Sequence, residues 1–452
     1  MDLPLSVIEN RLKEEIISRS LAGYCIDGLA ARLESARGSR PVLMALHDEL
    51  QHLPQQDRWQ YVEPSALPDI QAQRPPAPTL PAFYLSEAEV LNKIYGGWLG
   101  RAAGCILGKP LEVGWDHEQI RDYLEKAGAL PLDDFIPAQS RNGKVLRRDC
   151  VPSMRGYVQL AQEDDDLNYM CLAVKLLENR GPGFSTLDVG MNWLSSIPFL
   201  WTWGPEHVVY LNLAAAIGEH EPKEIDLERI TGFMNPGVEY IGAQIRTDVY
   251  GYVCPGMPEK AAELAWRDAY LTHRRNGIYG AMWIAAMNAA AFTLLDAEAV
   301  ILAGLAQIPT RSRFAEAIHQ TIAWCQADGD WRTTAQRIRD SYDAYTFAGA
   351  INNACCVAAS LLYGWGDGSS LPAEAYERTI TIAVQMGYDT DCNGASAGSI
   401  VGIMVGGSLL PPKWTAPLND TLRTCVAEFG QVSFQDMARR THIISRILRK
   451  VC

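Results

Sequence analysis

Residues 386–399 read "MGYDTDCNGASAGS", and this stretch determines how the rest of the chain is interpreted. It places Asp389 and Asp391 one residue apart, ahead of an apolar segment that supplies neither with a counter-charge. The segment that follows is rich in small residues, namely Ala395, Ala397, Gly398, Gly402 and Gly406. A helix with so many small side chains can pack very close to a neighbouring helix. We therefore expect both carboxylates to lie where this segment meets another helix.

A second acidic cluster lies in "QEDDDLNYMCLAVKLLENRGPG", residues 162–183, where Glu163 is followed by three aspartates, Asp164, Asp165 and Asp166. Behind the acids, apolar residues recur at helical spacing, at Leu167, Met170, Cys171, Val174 and Leu177. The dipeptide Gly181-Pro182 is a stop signal. The pattern predicts a helix that begins at the acidic run and ends near Gly181.

Two interpretations of this acidic run are open. Acids are favoured in the first turn of a helix, where they cap free N–H groups, but capping accounts for one or two acids and not for four. A bound divalent cation would relieve the repulsion between the others, and carboxylate oxygens suit magnesium, calcium or manganese. If the helix beginning at 164–166 is the close neighbour of the small-residue segment, five carboxylates converge. The alternative is a solvated acidic helix start.

Two other motifs were considered for "DTDCNG". It matches the first six positions of a calcium-binding EF-hand loop, but Ile400 stands at position twelve, where that loop needs a bidentate glutamate. A DxD loop of phosphotransferases normally ends a buried strand, whereas Gly387 and Tyr388 intervene here after a mixed segment. The EF-hand loop therefore fails at its most important ligand, whereas the DxD loop stays as a less favoured alternative.

The composition excludes several classes of protein. The net charge of −13, from 40 Lys and Arg against 53 Asp and Glu, argues against a nucleic-acid or anionic-membrane partner. The eleven cysteines show no CxxC spacing and fit buried thiols of a reducing compartment. The N-terminus lacks the pattern of a signal peptide, and the apolar stretches 281–295 and 399–410 are shorter than a membrane span of roughly 20 residues. We expect a soluble cytoplasmic protein.

The chain divides into three parts. Residues 1–63 form a helical appendage, with apolar residues at Val7, Ile8, Leu12 and Ile16. Residues 64–81 hold six prolines, and we expect a stiff linker without regular helix. Residues 82–452 form the main domain, dominated by helical periodicity, with a hairpin turn predicted at Asn142-Gly143. The fold class is all-α with minor β content, and residues 1 to about 80 are expected to be dispensable for metal binding.

At these motifs the chain resembles the ADP-ribosylglycohydrolase family. "GRAAGCILGKPLE", residues 100–112, is similar to the family's G-x-x-x-G-D-A-x-G-x-P-x-E. "DDDLNYM", residues 164–170, stands where the family reads T-D-D-T. "GYDTDCNGASAG", residues 387–398, is similar to G-G-D-T-D-T-N-A-x-x-A-G and is the most specific of the three. The motifs occur in the family's order, across roughly residues 85–410.

The resemblance implies an all-α, orthogonally packed helical fold with a binuclear Mg²⁺ centre, or Mn²⁺ in some members. It implies that the ions bind the ribose hydroxyls and a water of an ADP-ribosyl group, whose bond at the anomeric carbon is hydrolysed. The metal ligands carried over are Asp164, Asp165, Asp166, Asp389, Asp391 and Cys392. Catalytic roles fall to Glu112, which closes the first motif, and to Asp165 and Asp166. We accordingly expect two divalent ions at one site.

The chain also departs from the family pattern. Cys105 replaces an Asp, Asp164 stands where a Thr ligand is usual, and Cys392 replaces the second Thr of D-T-D-T. A thiol is a soft, weak ligand for Mg²⁺. A second register, in which Glu163-Asp164-Asp165 is the matching triplet, also remains open. The central G-N-G-x-x-M-R element is missing from residues 235–256, so substrate recognition can differ.

Candidate substrate-binding residues come from two regions. Between residues 235 and 280, polar residues at probable helix ends could line a pocket, namely Arg246, Asp248, His273 and Asn276. Asn353, beside Asn352 in an apolar helix, needs a partner, which is either the backbone or a ligand. Of these residues, His273, Asn276 and Asn353 are our predicted substrate contacts.

Two functions follow as hypotheses. The first is a metal-dependent hydrolase of a ribosyl bond, most simply an ADP-ribosyl bond, on a small-molecule or protein-linked substrate; another small glycoside or nucleoside is the variant on the same fold. The second is a catalytically idle module that binds a nucleotide-sugar. Retention of the four aspartates and Glu112 favours the hydrolase.

Overall fold

The structure is a computed structural model, and it describes residues 3–138, 146–218, 221 and 224–451. Within these residues the α-helices, numbered in chain order, are α1 Leu5–Leu21, α2 Leu29–Ser35, α3 Arg40–Leu50, α4 Leu67–Ala72, α5 Glu87–Gly108, α6 His117–Ala127, α7 Asp165–Arg180, α8 Thr186–Ser196, α9 Gly204–Ile217, α10 Leu227–Gly232, α11 Asp248–Tyr252, α12 Pro258–Ala269, α13 Asn276–Ala290, α14 Ala297–Leu305, α15 Arg313–Asp328, α16 Trp331–Tyr342, α17 Ala350–Gly364, α18 Pro372–Gln385, α19 Thr390–Val405, α20 Pro412–Thr415 and α21 Phe434–Val451. Short 3-10 helices lie between them, at Lys109–Leu111, Arg148–Ser153, Gly181–Gly183, Phe199–Trp201, Ile241–Arg246, Gly407–Leu409 and Ala416–Leu418.

The β structure is minor. Strands β1 Thr421–Arg423 and β2 Gln431–Ser433 pair antiparallel, with Leu422 opposite Val432. The all-α class predicted from the sequence is therefore confirmed. The hairpin turn predicted at Asn142-Gly143 lies outside the described residues.

The helix predicted behind the acidic run is confirmed. It is α7, which begins at Asp165 and ends at Arg180, where Gly181 takes a positive φ of 67°. Its apolar stripe is buried throughout, because α7 packs into the main core. The helix start thus carries the acids into the interior of the protein.

The close packing predicted for the small-residue segment exists, and its close partner is not the helix beginning at 164–166 that was considered as a condition. α19 crosses α5 and not α7. Glycines recur every four residues on both helices, and the glycines of one helix face those of the other. Gly96, Gly100 and Gly104 of α5 lie opposite Gly402, Gly398 and Gly394 of α19, and a Cβ atom added to any of the six would overlap a backbone oxygen of its partner. The backbones touch because α5 also carries a row of glycines, and the sequence prediction was based on the small residues of α19 alone.

This crossing positions the acidic residues. At its end, the Thr390 hydroxyl donates a hydrogen bond of 2.8 Å to the carbonyl of Gly108, so α19 begins where α5 ends. The chain after α5 is held to the same place by a β-bridge between Asp116 and Gly387. α7 joins through Arg101 of α5, whose guanidinium pairs with Asp166 at 2.6 Å. Three segments distant in sequence therefore meet at one point.

The N-terminal residues form a small second core. Helices α1–α3 bury their own apolar side chains, with Met234 and Phe233 of the main domain packed against them. The proline-rich segment was expected to lack regular helix, and this expectation is wrong for α4. Pro68 is tolerated there because it occupies the first turn, where its missing N–H would have no partner in any case. Ile70 of α4 is completely buried in the main core.

The segment before α4 is bound to the main domain by a buried ion pair. Glu63 pairs with Arg313 at 2.7 Å, and the two side chains are 3% and 7% exposed. Arg313 also pairs with Glu239 at 2.7 Å. Removing one partner of a buried pair leaves an uncompensated charge in the interior. The division at residues 63/64 and 81/82 stays a prediction, and the contacts favour a boundary before Glu63.

We therefore predict that two truncations differ. A chain that begins at Ala82 loses both Glu63 and the buried Ile70, and it should be less stable than a chain that begins at Asp57 by at least about 3 kcal/mol, the usual cost of breaking a buried pair alone. Both should still bind divalent metal, because the removed residues hold none of the acidic cluster. Urea denaturation and metal titration of the two chains measure this. Equal stabilities would show that the Glu63 pair contributes nothing, and a folded truncation without metal would refute dispensability.

Among the described residues, no helix combines the length and apolar character that crossing a membrane requires. The described cysteines are free thiols, and most are buried. The free and mostly buried thiols agree with the expectation from the cysteine pattern. The cytoplasmic location stays a prediction.

Candidate metal centre

The turn before α19 places Asp389 and Asp391. Gly387 and Tyr388 both have positive φ, 82° and 61°, which turns the chain sharply into the helix. The amide oxygen of Asn353 accepts hydrogen bonds from the backbone N–H of Asp389 at 3.1 Å and from the side chain of Asn393 at 2.8 Å. Asn353 therefore fixes the turn from the side of α17.

The start of α7 places the second set of acids. Asp164 is the N-cap, and its side chain accepts from the backbone N–H of Asp166 at 3.0 Å. The capping interpretation is thus correct for Asp164 alone. Asp389 also stands at an N-cap position, but its side chain makes no capping hydrogen bond. Capping does not explain the acids of α19.

The structure brings most of the predicted site residues together. Three groups have ligand atoms that all lie within 4.8 Å of one another, and these are Cys105, Asp164 and Asp166; Asp166, Asp391 and Cys392; and Glu112, Asp389 and Asp391. Asp165 adjoins them, since its pKa responds to Asp164, Asp391 and Glu112. Asp165 is half-buried and Glu112 keeps 23% of its side chain exposed, so these two residues face the open side of the cluster.

Several carboxylate oxygens in the cluster lack partners. Oδ1 of Asp389, Oδ1 of Asp391 and Oδ2 of Asp166 are buried without a hydrogen bond. The three residues are 5%, 2% and 0% exposed. Buried polar atoms are normally paired, because leaving them unpaired costs free energy. Neither Asp389 nor Asp391 forms an ion pair with a described lysine, arginine or histidine. The carboxylates of Asp389 and Asp391 therefore have no ion-paired positive charge from the described part of the chain.

Burial and mutual repulsion shift the pKa values of these acids. Burial, then the neighbouring carboxylates, raise the pKa of Asp165 and of Asp389 well above the usual value. Burial and Asp164 raise the pKa of Asp391 to about 6. Burial, Asp391 and Asp164 also raise the pKa of Glu112. A divalent cation would favour the ionised forms, and an all-oxygen donor set suits Mg²⁺ or Mn²⁺. The residues present fit such an ion.

The thiols of Cys105 and Cys392 fit a divalent cation less well than the carboxylates do. Burial and nearby carboxylates raise the pKa of Cys105 and of Cys392 well above the usual range, so both remain protonated. A neutral thiol is a poor ligand for Mg²⁺. The ligand role of Cys392 stays a prediction, and its surroundings favour carboxylates as the ligands.

Two cations of the protein also reach the cluster, and both were missed in the sequence. The Lys109 ammonium contacts Oδ2 of Asp164 at 2.6 Å and the carbonyl of Glu163 at 2.8 Å. The Arg101 guanidinium pairs with Asp166 and, at 3.1 Å, with Asp248. Burial would raise the pKa of Asp164, but Lys109 and the hydrogen bonds from Asp166 and Asp165 together outweigh burial, and the pKa lies below the usual value. Lys109 follows Arg101 by eight residues, about two helical turns, inside the first motif, so the sequence shows that the two cations lie near each other but not which acids they pair with.

The predicted substrate contacts lie elsewhere. His273 is fully buried and contacts Thr272 at 2.7 Å. Asn276 is fully buried and donates to Glu63 and Glu239. The amide of Asn353 is occupied by the α19 turn and by backbone carbonyls of Phe347 and Gly349. The structure does not bring His273 or Asn276 to the acidic cluster, and it gives Asn353 a supporting position behind the cluster.

A cavity of about 240 Å³ lies beside the turn that carries the acids. Its lining includes the aromatic residues Trp115, Tyr345, Phe347 and Tyr388, together with Arg339. Phe347 is 42% exposed, and the Arg339 guanidinium lies 5.6 Å from the centre of the Tyr388 ring. Trp115 and Tyr388 are themselves buried, and Phe347 is the aromatic side chain most open to a flat ring. The lining also includes two acids, Asp116 and Asp343, and Arg339 pairs with Asp343 at 3.4 Å. Because Tyr388 immediately precedes Asp389, a ligand here would adjoin the acids.

The chain was compared with known proteins. A family model described as ADP-ribosylglycohydrolase matches residues 86–443. A solved structure of an "ADP-ribosylglycohydrolase-related protein complex" is 16% identical to it, with 80% of this chain and 99% of that chain covered, at a TM-score of 0.49. The comparison with curated proteins gave no match.

Proposed function

Since the chain belongs to the ADP-ribosylglycohydrolase family, we propose that it is a divalent-cation-dependent hydrolase of an ADP-ribosyl glycosidic bond. The observation that carries this proposal is the pair Asp389 and Asp391, buried, adjacent, and each with an unpartnered carboxylate oxygen. A fold that keeps such a pair without counter-charge loses stability unless a cation binds there.

In this proposal, different residues of the chain have different roles. Asp389 and Asp391 would hold the cation from α19, and Asp165 and Asp166 from α7. A divalent cation bound there supplies Lewis-acid polarisation of sugar oxygens and of water. Glu112, on the open side, would accept a proton from the attacking water. Water oxygen then bonds to the anomeric carbon, the bond to the leaving group breaks, and the leaving group takes up the proton that Glu112 had accepted.

The family resemblance implies two ions, Mg²⁺ or Mn²⁺, and the register Asp164-Asp165-Asp166 is supported by the geometry. Asp164 and Asp166 belong to the clusters of possible ligands among the described residues, whereas Glu163 contributes its backbone carbonyl to Lys109. How many ions this chain holds depends on the Lys109 ammonium, which pairs with Asp164.

In this proposal the adenine ring of an ADP-ribosyl group would lie in the cavity beside Tyr388, where Phe347 is 42% exposed. Arg339, which pairs with Asp343 at 3.4 Å, would contact the diphosphate. The leaving group, whether a protein side chain or a small molecule, would extend from the anomeric carbon toward solvent past Glu112.

The test is hydrolysis of a panel of ADP-ribosyl substrates, linked through arginine, serine or a small nucleoside derivative, with and without EDTA. We expect release of ADP-ribose from at least one substrate, loss of activity with EDTA, and recovery with Mg²⁺ or Mn²⁺. Binding of ADP-ribose without turnover of any substrate would instead support the idle binding module. Turnover unaffected by EDTA would refute the role of the cation.

Glu112→Gln gives a sharper prediction. The amide keeps the shape of Glu112 but cannot accept a proton, so kcat should fall by about 10²- to 10⁴-fold, the range for removal of a general base. Metal should still raise the Tm, because Asp389 and Asp391 remain. Glu118→Gln, on the exposed first turn of α6, is the control and should leave kcat unchanged. An unchanged kcat in Glu112→Gln would assign the proton to another group.

A further inference from the structure

We infer that the Lys109 ammonium takes the place of a second metal ion, so that this chain holds one divalent cation where the family resemblance implies two. The inference rests on the proposed function, since it concerns the same acidic cluster. It is drawn from how positive charge is distributed among the three groups of possible ligands.

In the first group, Cys105, Asp164 and Asp166, each carboxylate already has a cationic partner from the protein. Asp164 pairs with Lys109 at 2.6 Å, and Asp166 pairs at 2.6 Å with Arg101, which it shares with Asp248. The third member is a thiol, which is a poor ligand for Mg²⁺. A divalent ion at this group would therefore lie beside two positive charges, and its only carboxylate ligands would be ones that already pair with a lysine or an arginine.

Lys109 is held firmly in this position. Its ammonium also donates to the carbonyl of Glu163 at 2.8 Å, and its side chain is only 15% exposed. It follows α5 directly, in a 3-10 helix that includes the buried Pro110 and Leu111. A lysine anchored at both its backbone and its ammonium cannot turn away to admit an ion without breaking two buried hydrogen bonds.

The group formed by Glu112, Asp389 and Asp391 has fewer positive charges around it than the first group. It contains three carboxylates, and among the described residues only Arg147 pairs with one of them, 3.6 Å from Glu112, and its own side chain is 46% exposed. Lys109 acts on Asp391 from beyond ion-pair distance. Oδ1 of both Asp389 and Asp391 is buried and unpartnered. Asp389 and Asp391 can therefore bind a divalent ion through anionic oxygens, with Glu112 beside it, so the single ion belongs here.

The experiment counts ions in the full-length chain. Wild-type protein is loaded with Mn²⁺, freed of excess metal by gel filtration, and analysed for Mn per chain by mass spectrometry. Electron paramagnetic resonance on the same sample separates isolated Mn²⁺ from a magnetically coupled pair. We expect one isolated ion in the wild type.

Lys109→Met keeps the length of the side chain but removes its charge, and it should raise the count to two coupled ions. The matched control is Lys93→Met, at the other end of α5, where the buried ammonium donates only to the carbonyls of Ile403 and Met404. Lys93→Met should keep one ion. If circular dichroism shows that Lys109→Met does not fold, Lys109→Gln, which retains a donor for Asp164, replaces it.

The outcomes are separable. One isolated ion in the wild type and two in the Lys109 variant support the inference. Two ions in the wild type, or one ion in both proteins, overturn it while leaving the proposed function intact. No bound ion in the wild type contradicts the cation dependence of the proposed function itself.

Discussion

Replacement of Asp391 by asparagine should abolish the rise in Tm that Mg²⁺ or Mn²⁺ causes in the wild-type protein. A cation present at 100 times its Kd stabilises a folded protein by about 2.7 kcal/mol, and this gain disappears when the ligand is lost. Turnover should fall by more than about 100-fold, because even residues that only support metal ligands cost 10- to 100-fold when changed. Without metal, the variant should be as stable as wild type or more so, since one repulsive charge is gone.

Melting curves with and without metal distinguish this from a purely structural role. Asparagine caps a helix nearly as well as aspartate, so a capping residue should lose nothing on replacement. Asp116→Asn is the control, because Asp116 is a true N-cap, accepting from the backbone of Gln119 at 2.8 Å. The control should keep the full metal response. An unchanged metal response in Asp391→Asn would remove Asp391 from the ligand set.

Gly104→Ala should destabilise the protein by at least about 3 kcal/mol and prevent folding at moderate temperature. A methyl group at this position overlaps the carbonyl oxygen of Gly394 across the α5–α19 crossing. The neighbour is backbone and not a flexible side chain, so the helices must separate to make room, at the high end of the cost of overpacking. Separation would also move Asp389 and Asp391 away from Lys109 and Arg101.

Gly232→Ala is the matched control for this substitution. Gly232 is also helical, at the end of α10, and no atom lies within 4 Å of the position where its Cβ would stand. It should be neutral or slightly stabilising, because alanine favours a helix more than glycine does. Chemical denaturation of the three proteins measures the difference. A Gly104→Ala protein as stable as wild type would mean that the crossing is not tightly packed.

The sequence predicted the helices better than it predicted their partners. α7 could be predicted because apolar spacing and the Gly181 stop are local signals. The small residues of α19 identified a close-packing face, yet such a face accepts any helix with a matching stripe. α5 has that stripe at Gly96, Gly100 and Gly104, whereas α7 has bulky residues. Pairing depends on comparing faces across the whole chain, which periodicity within one segment cannot provide.

The acidic residues were predictable for a related reason, and their counter-charges were not. Carboxylates cluster within each motif, so the sequence shows them side by side. Lys109 and Arg101 lie on a different segment from the acids they neutralise, and only the three-dimensional packing joins them. The same holds for Glu63, which the sequence assigns to an appendage and the structure pairs with Arg313.

The α5–α19 crossing has a consequence for how the protein folds. Gly108 and Thr390, which meet at its end, are 282 residues apart in the chain. Contacts of such long sequence separation form late, because the loop between them must first lose conformational entropy. On the ribosome, α5 therefore emerges long before its partner exists, and its glycine face stays uncovered during most of synthesis. The acids of the third motif meet those of the second only when nearly the whole chain is in place, so cation binding can begin only at the end of folding.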